Sequence, residues 1–138
     1  MKKFEKNSKY QFSCLRRKMM EEKDQMMLWN QLSNTNSLQE VQDYIKKVIE
    51  IRGFSDQEIE KTMLLLLEEV GELGKAIRKN ATNMRIDEEK LSHYDTIESE
   101  VADVFIVLTS VCNHLGIDLY TAVKEKEKEN VKRVWKKC

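Results

Sequence analysis

From Leu38 onward the apolar positions recur every three to four residues. Leu38, Val41, Tyr44, Ile45 and Val48 fall on one helical face. Ser37-x-x-Glu40 just before them is a capping-box pattern, in which hydroxyl and carboxylate each satisfy a free N–H at a helix start. Gly53 supplies a stop. The pattern predicts a first helix over 38–52. A second box, Ser55-x-x-Glu58, precedes Ile59, Met63, Leu64–Leu67, Val70, Leu73 and Ile77, which predicts a second helix over 56–79. The period then lapses through 80–95, which reads as a loop with at most a short helical turn. It resumes from Thr96 to His114, with Gly116 closing a third helix. Asp118 or Thr121 can cap a fourth helix over 119–136, whose alternating charges from Lys124 to Asn130 mark a solvated face. Residues 1–36 are polar and mixed. Within them 15–29 has loosely periodic Met and Leu and fits a helix, on an extension that is either disordered or helical.

Composition narrows the class. The chain has no proline and four glycines, too few of either for strands joined by tight turns. An all-α domain with a four-helix bundle core over 37–138, preceded by the extension 1–36, is the expectation. At 138 residues one domain has room for a core. Cys14, Cys112 and Cys138 form no CxxC or Cys/His cluster, so neither a disulfide framework nor a zinc site is expected, and a reducing cytoplasm is. No run of about 18 apolar residues occurs, and the basic start lacks an apolar stretch behind it, so neither a membrane span nor a signal peptide is expected. The 24 basic and 24 acidic residues balance, but unevenly: residues 1–36 carry a net +4 and the remainder a net −4. An acidic body is unsuited to gripping a nucleic-acid polymer.

The chemistry lies where acids interrupt apolar runs. Leu64-Leu-Leu-Leu leads straight into Glu68, Glu69 and Glu72. Glu100 and Asp103 open the run Val101-Ala-Asp-Val-Phe-Ile-Val-Leu108. At about 100° per residue, Glu68, Glu69 and Glu72 share one sector of the second helix, with apolar side chains almost all round the rest. That helix is expected to be buried on both sides. Glu100 and Asp103 sit at the edge of the core-facing stripe of the third helix, so both sets can point between the two. Ionised carboxylates in such surroundings are costly unless they are paired or hold a cation. An oxygen-only set with no histidine favours Mg²⁺, or Mn²⁺, over zinc. It also departs from the Glu-x-x-His pattern of di-iron bundles.

Glu68-Glu69-Val70-Gly71-Glu72 and Glu100-Val-Ala-Asp103 resemble the Glu-Glu-x-x-Glu and Glu-x-x-Asp motifs of the MazG-like all-α nucleotide pyrophosphohydrolases. The resemblance extends upstream to Leu38-Gln-Glu-Val-Gln-Asp-Tyr-Ile and Arg52-Gly-Phe54, and downstream to Lys128-Glu-Asn130 and Arg133-Val-Trp135. It covers about 37–137 and leaves 1–36 outside. It implies Mg²⁺-dependent hydrolysis of nucleoside triphosphates to monophosphate and pyrophosphate. Glu69, Glu72, Glu100 and Asp103 would hold metal, Glu68 would orient or deprotonate water, and Lys128, Asn130 and Arg133 would contact phosphate or base. A phosphoribosyl-ATP or dUTP pyrophosphohydrolase is a near alternative. From another class, a non-catalytic helical interaction module is the alternative.

The remaining conspicuous residues have plainer readings. Lys75 and Lys79 fall back on the acidic sector one and two turns after Glu72, where they either reach phosphates or, at i,i+3, pair with Glu72. Cys112 falls in an apolar stripe, His114 ends a helix, His93 lies in the loop, and Trp29, Phe54 and Trp135 read as packing. The leucines around the second helix leave more apolar surface than a lone four-helix subunit covers, so a homodimer or homotetramer through the second and third helices is expected.

Overall fold

The computed structural model describes residues 2–85 and 96–134, and of residues 2–13 the backbone alone. Five α-helices make up the described chain: α1 (Lys2–Trp29), α2 (Leu38–Ile51), α3 (Ile59–Ala81), α4 (Ile97–His114) and α5 (Leu119–Asn130). No strand occurs among the described residues, and the all-α class read from the sequence holds. Internal contacts divide the chain into two units, Met1–Ser55 and Asp56–Cys138.

In the first unit α1 packs on α2. The buried positions of α2 are Gln42, Ile45 and Val48, one stripe at helical spacing. Arg52 Nε donates to Gln25 Oε1 at 2.9 Å and ties the end of α2 to α1. The predicted capping box is formed. Ser37 Oγ accepts from the Glu40 N–H at 3.2 Å, and Glu40 Oε2 accepts from the Ser37 N–H at 2.6 Å. At the other end Gly53 takes a φ of 75°, a conformation that costs a side-chain-bearing residue more. The turn this allows sends the Gly53 N–H to Glu50 O and the Phe54 N–H to Ile49 O, both at 3.0 Å, satisfying carbonyls the helix would otherwise leave open. Residues 15–29, expected to be helical, lie within α1.

In the second unit α3 and α4 pack side by side. Ala76 of α3 is 1% exposed, and α4 contributes Val107, Thr109, Val111 and Cys112 to the core. Thr109 is fully buried because its hydroxyl has a local acceptor, Phe105 O at 2.7 Å. Thr96 caps α4 by accepting from the Ser99 N–H at 3.2 Å. Gly116, with φ 66°, closes it through Ile117 N–H to Cys112 O at 2.8 Å. Asp118 is the cap of α5, accepting from the Thr121 N–H at 2.6 Å. The Thr121 hydroxyl first, and then this N–H, hold the Asp118 carboxyl below its ordinary value. Helix α5 leaves α4 at an angle of 99°, and none of its residues is buried. No single described helix is long and apolar enough to cross a membrane.

Three local expectations are corrected. Helix α3 starts at Ile59 rather than 56, because the Ser55–Glu58 box does not form: Glu58 stands at the N-cap without a side-chain capping bond, and its carboxylate pairs instead with Lys61 at 3.1 Å. The fourth predicted helix ends at Asn130 instead of 136, giving way to a turn at Val131 and Lys132, while 135–138 lie outside the described residues. The helix expected to be buried on both sides is not so within one chain. Leu64 is 67% and Leu67 63% exposed, and α3 buries only Thr62 and Ala76. The loop expected over 80–95 lies mostly outside the described residues; Thr82 caps α3 in extended backbone.

Candidate metal centre

Three carboxylates from two helices converge. Glu69 of α3 and Glu100 and Asp103 of α4 each offer an oxygen, and these oxygens all lie within 4.8 Å of one another. The placement follows from helix geometry. Residues 100 and 103 are three apart and therefore share one face of α4. Close packing of α3 against α4 brings that face to Glu69. Glu100 is the deepest of the three at 6% exposed, and Glu69 and Asp103 are half-buried. The sequence placed Glu100 at the edge of the core stripe, whereas the fold puts it in the core.

Electrostatics mark the same spot. The Glu69 carboxyl is raised above its ordinary value of 4.5, first by burial and then by the charges of Asp103, Glu100, Glu68 and Glu72. The other four acids singled out in the sequence thus all act on Glu69. A carboxylate prefers its neutral form where solvent is scarce and negative charge is near.

The remaining two acids are placed differently. Glu68 is exposed. Glu72 is partly exposed, and its Oε1 accepts from the Lys75 ammonium at 2.5 Å, the pairing expected from their spacing. Of the residues expected to touch substrate, Lys128 and Asn130 bond within α5 and Arg133 follows the helix. On α5, Lys128 Nζ meets Glu125 Oε2 at 3.3 Å and Asn130 Nδ2 donates to Glu127 Oε1 at 2.7 Å. Asn130 Oδ1 is enclosed with no hydrogen-bond partner. Arg133 is exposed beyond the helix end.

The oxygen-only donors, their spacing and their mutual repulsion suit a hard divalent cation. Further along α4 the plainer residues behave as read: Cys112 is buried, its thiol pushed up by desolvation, and His114 is exposed in the last turn. Trp29, read as packing, is 60% exposed and lines a cleft of about 310 Å³ with Met26, Tyr44 and Arg52, and Phe54 is 50% exposed. His93 and Trp135 lie outside the described residues. Sequence reasoning missed Ala76. Its small side chain at 1% exposure on α3 was visible only as an apolar position near the acidic sector.

Residues 57–135 match the model of the MazG nucleotide pyrophosphohydrolase domain. The chain belongs to that family. The matched span contains all five acids and makes the protein a pyrophosphohydrolase of the MazG type. Among similar solved structures is that of YPJD, a candidate pyrophosphatase from Bacillus subtilis. It is 20% identical, with a TM-score of 0.62 over 74% of this chain and 100% of that one, a likeness of fold. Another is iMazG from Vibrio DAT 722, 28% identical over 69% of this chain and 98% of that one, with a TM-score of 0.48. No curated protein matches significantly.

Proposed function

We propose that this MazG domain hydrolyses nucleoside triphosphates to the monophosphate and pyrophosphate, using Mg²⁺ (or Mn²⁺) held by Glu69, Glu100 and Asp103, with Glu72 as a fourth ligand. The observation that carries the reading is the convergence of three carboxylates from α3 and α4 within 4.8 Å, inside the matched domain. A bound cation would supply charge neutralisation for the triphosphate and a lowered pKa for bound water. The chain's own part is then positional. Glu100, buried on α4, fixes one side of the site, and Asp103 one turn on fixes its orientation. Glu69 completes the rim from α3. Glu68, exposed beside it, is free to orient or deprotonate the attacking water.

The same reading assigns Lys128, Asn130 and Arg133 to the phosphates or base. Helix α5 diverges at 99° and has no buried residue, so these groups would reach the site of a neighbouring copy. A homodimer or homotetramer through α3 and α4 fits the exposure of Leu64, Leu67, Val70 and Val101, at 67%, 63%, 48% and 51%. The functional domain would then comprise 37–138, with 1–36 appended, and the enzyme would work in the cytoplasm on free nucleotides.

The deciding experiment is a panel of nucleoside and deoxynucleoside triphosphates, dUTP included, incubated with Mg²⁺ and resolved by product chromatography. Monophosphate and pyrophosphate are expected. Diphosphate and orthophosphate as main products would sink the assignment. Light scattering on the full chain should give the mass of a dimer or larger, falling in Leu64→Glu/Leu67→Glu. A monomer at assay concentrations would refute the oligomer.

A further inference from the structure

Glu72 stands apart from the other acids of the cluster. Glu69, Glu100 and Asp103 turn their oxygens to a common point, while the carboxylate of Glu72 is engaged by the ammonium of Lys75, one turn further along α3. The charge of Glu72 nevertheless reaches Glu69 and helps to raise its carboxyl. So Glu72 belongs to the cluster electrostatically but is held by a lysine rather than by the point where the others meet. Both partners are accessible, with side chains 37% exposed for Glu72 and 49% for Lys75. Neither is locked by packing.

We infer that Lys75 is a positioning residue that competes with the divalent cation for Glu72. Without the cation, the ammonium offsets part of the charge of Glu72 and lessens its repulsion with Glu69. When the cation enters, Glu72 turns to it, and the ammonium on its flexible four-carbon stem becomes available to the triphosphate. Two positive charges thus exchange one carboxylate, and the charge leaving Glu72 arrives where phosphate charge must be met. The exchange is easy because a partly exposed ion pair of this spacing is weak. The inference rests on the reading of the acids as a metal site.

Its test is a double-mutant cycle read by calorimetry, which separates this pair from the general field of a lysine near a cation site. Mn²⁺ is titrated into the metal-free full chain as wild type, Lys75→Met, Glu72→Gln and the double variant, without nucleotide. Lys75→Met should tighten Mn²⁺ about two- to fivefold, the range of an exposed pair. In the Glu72→Gln background the same change should have little effect. Metal-loaded Lys75→Met should also bind an α,β-methylene triphosphate more weakly than wild type. An equal Mn²⁺ effect in both backgrounds overturns the inference, as does weaker Mn²⁺ binding by Lys75→Met, or undiminished analogue binding. Absence of Mn²⁺ binding in wild type itself would overturn the metal site and this inference with it. Lys75 is exposed on a helix and Met is a good helix former, so the fold should survive, which circular dichroism checks.

Discussion

Glu40 at the start of α2 and Glu69 in the seam between α3 and α4 are the same residue type in helices of comparable make-up. Their carboxyls are shifted in opposite directions. Glu40 lies below its ordinary value because the Ser37 N–H and hydroxyl donate to it, so its charge is what the helix start uses. Glu69 lies above because it is half-buried among four other acids, so its charge is what the folded chain bears as a burden. The first arrangement is complete within four residues. On the proposed reading the second is incomplete without a cation, and that difference would separate a structural carboxylate from one kept for binding.

The comparison is broken most forcefully by removing one seam charge at constant volume. Asp103→Asn or Glu69→Gln should lower turnover by about 10² to 10³, the usual effect of deleting one electrostatic group from a catalytic site. Helix content and the metal-free melting temperature should be kept or slightly raised, because repulsion is relieved. Turnover close to wild type at saturating Mg²⁺ would reduce the acids to a structural strip. Glu40→Gln, by contrast, should leave turnover alone.

Next in size is the response to metal. A ligand that binds only the folded state stabilises it by about 2.7 kcal/mol at a hundred times its dissociation constant. Mg²⁺ should therefore raise the melting temperature of the wild-type chain by several degrees over that in a chelator, and that of Glu69→Gln by less. Identical melting curves with and without Mg²⁺ would show that the seam is not incomplete after all.

The smallest effect is also the most direct reading of the two signs. For Glu40, the folded value lies below 4.5, so its contribution is present above pH 4.5 and is lost as pH falls through the folded value. For Glu69 in the metal-free chain, the folded value lies above 4.5. Its stabilising effect is present below pH 4.5, in the protonated form, and is lost as pH rises through the folded value. Melting temperature against pH should accordingly flatten on the acid side of 4.5 in Glu40→Gln, and on the other side in metal-free Glu69→Gln. Parallel curves for both variants and wild type would erase the distinction.

Much of this was legible along the chain because it is local. A capping box needs Ser37 and Glu40 three residues apart, and a Schellman-type stop needs a glycine at 53 or 116; neither asks anything of distant residues. Helical periodicity likewise depends on neighbours within two turns, so α2 and α4 were readable to within a residue or two. The Ser55–Glu58 box shows the boundary of that logic. The pattern is present, yet Lys61 competes for the same carboxylate and α3 starts later.

The sequence alone therefore determined the helices, most of their ends, the family motifs and the identity of the five acids. What only the tertiary structure decided is how those acids divide. Spacing puts Glu68, Glu69 and Glu72 on one sector without saying which meets Glu100 and Asp103, because that depends on where α4 crosses α3. The crossing is set by packing around Ala76, Val107 and Val111, residues far apart in sequence and unremarkable in it. It turns Glu69 inward, buries Glu100, and leaves Glu72 to Lys75 and Glu68 to water. Carboxylates of equal chemistry acquire different roles only from the dielectric and the charges around them, and both are properties of the assembled pair of helices.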